Sequence, residues 1–430
     1  MFLKQAVLLL VSSAALLFGA SCGSSGSSTT GPNGNVTVNK PSQLNNRAFI
    51  TNQFSGNIQI VDSQNDTTAY YTATNNNTGN STVANGSVGQ PAAAVSITVG
   101  GSLTLAVLRP DDAETVVYNP SGNILTFITN SSETSNGTVN LAGSTSSLVY
   151  SPDSTMLYVP VPNAQVTNAR PGGVQFVTEA TSTTTVTITG FAPVPSAQTG
   201  AISPDGNTLL VFAANSDMMY VVGVKANPPT VVAVPGFARP VNAFFSTDST
   251  TAYVINCGSE CGPGSGPPSV MRFNLASQTV TATVPVGGAS VGLLKGTTLY
   301  VAGFPSGSTG TFDVVDVSAM NRLTPNPVAI GDGTHTTMAI SNNNKIYIGA
   351  ITCSNTTVGC LSIVDLGKVS ADPMGPPYGP ITGMQSIPNR NTMYVIEGGV
   401  LNIYDTTTGQ LQATQIAFRG ALYGVVQVDP

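Results

Sequence analysis

Residues 200–215 read GAISPDGNTLLVFAAN. Two short apolar runs flank Ser203-Pro204-Asp205-Gly206. Pro at the second turn position presets φ, Asp suits the corner, and Gly relieves the exit. Short apolar runs on either side of such a turn predict a half-buried β-hairpin. The rest of the chain repeats this unit. The residues matching Leu210 are Phe49, Val116, Tyr158, Tyr253, Tyr300, Tyr347 and Tyr394. After a first step of 67 residues, the intervals run from 42 to 52. A period in the forties with all-β patterning points to the blades of a propeller.

Worn copies of the turn precede most of these anchors: Arg109-Pro-Asp-Asp, Ser151-Pro-Asp-Ser, Ser246-Thr-Asp-Ser, Ser341-Asn-Asn-Asn and Pro388-Asn-Arg-Asn. After each anchor come a loop and a third strand, as at residues 57–62, 269–275 and 401–405. A Thr/Val-rich fourth strand often follows, as at 184–189, 230–234 and 280–286. Each unit is therefore expected to be a four-stranded antiparallel sheet.

The order strand, SPDG, YVTN, VSVID resembles the YVTN-type β-propeller repeat family. The matching residues are Ser203-Pro204-Asp205-Gly206, Tyr253-Val254-Ile255-Asn256 and Leu361-Ser362-Ile363-Val364-Asp365. The resemblance spans roughly residues 47–430, and its specificity lies in the repeated order of motifs. It implies an all-β propeller domain over residues 46–430. Eight second strands predict eight blades. Seven is the alternative, if the Phe49 and Val116 units collapse into one. A polar insertion at 72–89 lengthens the first step and reads as a mobile loop. The chain enters at a second strand and leaves a spare first strand at residues 421–428. Pairing the two would close the ring and remove both open edges.

The start of the chain reads as an export signal over residues 1–21. Lys4 supplies the positive charge, residues 6–18 are apolar, and Gly19-Ala20-Ser21 precede Cys22. Small residues before a Cys resemble the lipobox of bacterial lipoproteins, with Gly19 departing from the usual Leu. That resemblance implies lipid attachment at Cys22 and a membrane-anchored protein of the cell envelope. A plain secretory signal is the alternative. Residues 22–45, rich in Gly, Ser and Thr, read as a flexible tether.

Composition excludes more than it selects. Only 8% of residues are charged, against roughly 25% in an ordinary domain. The net charge is −6 and no Lys/Arg cluster exists, which argues against a nucleic-acid partner. His335 is the single histidine, and Trp is absent. Four cysteines remain after Cys22, and four allow three connectivities. Short spacing in an exported chain favours Cys257–Cys261 and Cys353–Cys360. A zinc site is the alternative, but CGSEC and CSNTTVGC lack two-residue knuckle spacing.

Long loops after the second strand, at 161–171, 257–268, 304–310 and 350–360, are expected to share one face. Arg239, Asp332, His335 and Arg419 fall in loops leading to first strands on that face. They are the candidate residues for a small anionic or polar ligand. No nucleophile elbow, paired His ligands or phosphate loop is present, so no catalytic residue, metal or cofactor is expected. Propeller lactonases and quinone dehydrogenases share the architecture, but fold alone does not transfer activity. The expectation is a monomeric, non-catalytic binding or scaffold propeller with a protein or small polar ligand as partner. A lactonase-like hydrolase is the alternative.

Overall fold

The computed structural model describes residues 44–68, 96–179, 185–262, 265–305, 309–324, 326–353, 358–367, 379–412 and 421–429. It also describes 36–38, 42, 73–75, 80–81, 370–372, 416 and 418. The chain divides into two compact units, residues 40–71 with 86–430, and residues 1–39 with 72–85. In the smaller unit Val36–Val38 pairs with Ala73–Asn75, which pairs with Asn80–Ser81. Short strands thus occur in two stretches that the sequence reading left irregular. The rest of the insertion and Cys22 lie outside the described residues.

The larger unit is an eight-bladed propeller, each blade an antiparallel sheet. We number blades from the one containing Arg47–Asn52. The second strands of blades 2 to 8 are Glu114–Asn119, Leu157–Val161, Thr208–Ala213, Thr251–Asn256, Thr298–Gly303, Lys345–Ala350 and Thr392–Glu397. Every anchor residue falls within one of them. The units at Phe49 and Val116 are separate blades, which removes the seven-blade alternative. In blade 1 the outermost strand comes in two pieces, Thr67–Thr68 and Ser96–Thr98, both paired with Asn57–Asp62. The insertion therefore interrupts a fourth strand instead of lengthening the loop between two blades.

The core is divided among eight seams between neighbouring blades. Second strands sit between two such seams and are buried on both faces. Arg47–Asn52 and Lys345–Ala350 are buried at every position, their polar end residues Arg47, Asn52 and Lys345 included. Fourth strands face solvent, as in Thr230–Val234, where only Val234 is buried. First strands line the centre, where most touch the first strand of the next blade. Gly383 permits one such approach: a Cβ there would lie 2.9 Å from the Tyr423 carbonyl oxygen.

The hairpin turns follow from their residues. Gly206 donates to the Ser203 carbonyl at 2.8 Å, and the Ser203 hydroxyl donates to Asp205 Oδ1 at 2.5 Å. Ser151–Asp153 and Ser246–Asp248 repeat that hydroxyl contact. The last position is left-handed in each, at φ 68° for Gly206, 61° for Ser154 and 58° for Ser249. The blade 8 turn lies one residue earlier than the sequence reading placed it. Arg390 donates to the Ile387 carbonyl and Asn389 takes φ 59°, the position that a type II turn makes left-handed.

The C-terminal strand Leu422–Gln427 is the first strand of blade 1. It pairs with Arg47–Asn52, with Phe49 opposite Val426 and Ile50 opposite Val425. Two side-chain clasps flank this pairing. Arg47 grips Asp429 in a fork, Nε to Oδ2 at 2.7 Å and Nη2 to Oδ1 at 2.9 Å. Its Nη1 donates to Glu133 Oε1 of blade 2 at 2.9 Å. At the other seam of blade 1, Arg390 grips Asp66 at 2.7 and 2.6 Å, and Tyr394 donates to the same carboxylate at 2.6 Å.

Candidate functional site

Antiparallel order sorts the loops between two faces. Turns after first and third strands share one face, and loops after second and fourth strands share the other. The long loops after Leu157–Val161, Thr251–Asn256, Thr298–Gly303 and Lys345–Ala350 therefore gather on one rim. Disulfides Cys257–Cys261 and Cys353–Cys360 brace two of them, with Cα atoms 5.7 and 6.1 Å apart. All four thiols are consumed, which removes the zinc alternative. The blade 5 loop forms a short 3-10 turn, Gly258–Cys261. Glu260 within it accepts from the Phe304 and Ala289 backbone amides at 2.8 and 3.0 Å. Burial pushes this carboxyl up, while the two donors oppose the shift. Glu260 thus ties the blade 5 loop to blade 6.

The residues singled out from sequence occupy two separate seams of this rim. Arg239 belongs to the seam of blades 4 and 5, where its Nε donates to the Ser265 hydroxyl at 2.8 Å. Asp217 lies 3.7 Å from that nitrogen. Asp332 and His335 belong to the seam of blades 6 and 7. Asp332 accepts from the Gly310 amide at 2.8 Å. His335 opens the first strand of blade 7 and is 2% exposed. Burial pushes its imidazole down to about 4, so the ring is neutral at pH 7. Among the described residues no hydrogen bond or ion pair joins Arg239 to Asp332 or His335. Arg419 lies outside the described residues.

Two cavities open towards this rim and the centre. One, of about 300 Å³, lies under the Cys257–Cys261 loop and includes Arg239, Phe212, Ala214 and Val241 in its wall. The other, of about 340 Å³, is central and carries Thr337, Thr382, Gly383, Tyr423 and Gly424. The Thr337 and Thr382 hydroxyls in it are buried with no hydrogen-bond partner.

A third cluster, on the turn face, was not visible as a motif. Arg109 Nη1 lies 3.3 Å from Glu114 Oε2 and 3.4 Å from Glu179 Oε2. Tyr150 donates to Glu114 at 3.3 Å, and Asn136 donates to Glu179. These residues border a cavity of about 380 Å³ that Arg47 and Asp429 also line, save that Tyr150 stands outside it. Burial first, and the Glu179 charge second, push the Glu114 carboxyl up to about 7. The signal was positional. Glu114 begins a second strand and Glu179 ends a third strand in adjacent blades, which brings both to the same end of one seam.

This shift gives a pH test. A carboxyl raised in the folded state stabilises below its unfolded pKa, and that contribution is lost as pH rises through the folded value. Stability from Glu114 should therefore decline between about pH 4.5 and 7. His335 acts oppositely: its folded value lies below the unfolded one, so its contribution fades as pH falls from about 6.5 to 4. Comparing variants cancels the histidine. Glu114→Gln is expected to raise the urea midpoint at pH 8 by the equivalent of about 1–3 kcal/mol and to leave it almost unchanged at pH 4.5. Equal effects at both pH values would refute the assignment.

No protein-family profile matches the chain, and no curated protein sequence does. Solved structures do. Dihydro-heme d1 dehydrogenase NirN, in complex with DHE, superimposes with a TM-score of 0.62 at 12% identity, covering 90% of this chain and 75% of that one. A functionally unknown protein from Desulfotomaculum acetoxidans gives 0.53 at 14%, covering 89% and 98%. The β-propeller domain of Myceliophteria thermophila Cps50 (Swd1) gives 0.52 at 9%, covering 70% and 94%. At these identities the likeness is one of fold. The chain is an eight-bladed β-propeller.

Proposed function

We propose that this is an exported propeller of YVTN-type repeats, lipid-anchored at Cys22, that binds partners in the bacterial cell envelope through its long-loop rim. The observation that carries the reading is the asymmetry of the two faces. Among the described residues, the strand connections on one face are short turns. The other gathers the long loops of four blades, two of them closed by disulfides, and the Cys257–Cys261 loop is also fastened across a seam by Glu260. Stiffened loops bind with less ordering cost. The disulfides also support export, since such bonds persist in oxidising compartments.

The test places a photo-crosslinking residue in cells at Gln165 or Pro267 on the rim, and at Asp205 or Ser249 on the turn face. Crosslinks to a defined envelope component are expected from the rim positions, and their absence, or equal yield from both faces, would contradict the reading. In the same cells a fatty-acid analogue should label wild type but not Cys22→Ala. Equal labelling would remove the anchor.

A hydrolase reading has one observation in its favour, the Glu114–Glu179 pair beside Arg109 with one carboxyl raised towards neutrality. It requires turnover of simple esters or lactones that Glu114→Gln abolishes.

A further inference from the structure

We propose that the cavity between blades 4 and 5 is a binding site for a small monovalent carboxylate with an apolar body, held by the guanidinium of Arg239. This deepens the binding reading above and rests on it.

Arg239 forms part of the cavity wall, with its side chain 19% exposed. Nε is used by Ser265 at 2.8 Å, and Ser265 in turn donates to Asp217 at 3.1 Å. Nη1 is buried and has no hydrogen-bond partner among the described residues. Nη1 has no surface open to the cavity, so the nitrogen that meets a ligand is Nη2, which donates to no described residue. The cavity of about 300 Å³ that Arg239 lines is otherwise largely apolar, with Phe212, Ala213, Val241 and the two sulfur-bearing residues Cys257 and Cys261. Gln198, Thr199, Asn215 and Ser216 add polar groups. A few placed polar groups in an apolar concavity is the usual composition of a small-ligand site.

The guanidinium is held in place before any ligand arrives. Arg239 takes φ 54°, a left-handed conformation uncommon for a long side chain. Its amide donates to Asp217 Oδ1 at 3.0 Å, and its carbonyl accepts from the Cys257 amide at 3.0 Å. The Cys257–Cys261 bridge fixes that loop. Gly262, at φ 141°, passes close to the guanidinium: a Cβ there would lie 3.6 Å from Nη2.

Charge selects the ligand class. A carboxylate matches the planar N–H edge of Arg in length and direction. The Asp217 carboxylate, 3.7 Å from Nε, offsets part of the positive charge and disfavours a dianion such as phosphate. The apolar wall disfavours a small, fully hydrated anion.

The test titrates hexanoate into the full chain by calorimetry and saturation-transfer NMR, with hexanamide, hexylamine and inorganic phosphate as comparison probes. Hexanoate is expected to bind at least tenfold more tightly than each of the other three. Arg239→Ala should weaken it at least tenfold, and Arg239→Lys by less. Ala214→Leu keeps the guanidinium but fills the cavity, and it should also weaken hexanoate at least tenfold. It decides the matter if Arg239→Ala fails to fold. Hexanoate binding no tighter than hexanamide, or unaffected by both substitutions, overturns the site. Persistent rim crosslinks with no hexanoate binding would overturn this inference alone and leave the binding reading standing.

Discussion

Chains ending at Gly420 are expected to lose the folded state of the whole ring, whereas chains lacking residues 23–35 are expected to keep wild-type stability. The truncation removes Leu422, Val425 and Val428, which are 2%, 7% and 1% exposed. Burying such side chains contributes about 1.5–3 kcal/mol each, so roughly 5–9 kcal/mol is lost. Domain stabilities span about 5–15 kcal/mol in total. The loss has further parts. The ladder from Ala48 to Asn52 is left without its partner, and Arg47 loses both oxygens of Asp429. Two seams lose a wall together, because Leu422 and Val425 pack between blades 8 and 1 while Val428 packs between blades 1 and 2. Circular dichroism and urea unfolding would read the outcome. A truncated chain with the wild-type midpoint would mean that the ring does not need this strand.

Replacing Arg47 with Met should destabilise the ring by about 3–5 kcal/mol, the range for breaking one partner of a buried ion pair. The residue is 7% exposed and lies between Glu133, itself 3% exposed, and Asp429. Met conserves much of the stem and removes the charge. Glu133 then keeps only its contacts with Ser42, a 2.7 Å amide and a 2.5 Å hydroxyl. Asp429→Asn should cost less, because that side chain is 26% exposed and water can replace the cation. Lys225→Ala is the comparison at the surface. Its partner Asp153 is 3.6 Å away and both side chains are about half exposed, so the loss should stay within about 1 kcal/mol. Urea midpoints at constant slope would rank the three. Equal small effects would mean that the Arg47 clasp contributes no more than a surface pair.

How much could be read in advance depended on the range of each interaction. The hairpins were legible because Ser203-Pro204-Asp205-Gly206 encodes its own turn, and in the copies that begin with serine its hydroxyl bonds within the same four residues. Aspartates at third-strand ends were legible as turn formers for the same reason: Asp62 and Asp405 each accept backbone amides two and three residues on. The closing strand was legible by subtraction, since one end lacked what the other carried. The disulfides followed from spacing. What escaped were pairs set by seam geometry. Arg390 meets Asp66 across 324 residues, and Glu114 meets Glu179 through the side-by-side placement of blades 2 and 3. Neither has a motif, because a salt bridge between blades constrains only which end of a strand each residue occupies. Arg239 and Asp332 lie in loops that lead to first strands, His335 begins its strand and Arg419 is outside the described residues; sequence alone did not assign them to seams. Arg239 and His335 therefore read as neighbours, although they lie in different seams.

The shared blade carries the account, and native-state hydrogen exchange tests it most directly. Peptides covering residues 47–52 and 422–427 should exchange together, at the slow rate of the other second strands, since their amides belong to one ladder and open with the ring. Exchange of 422–427 within seconds while 47–52 stays protected would contradict closure by the C-terminal strand.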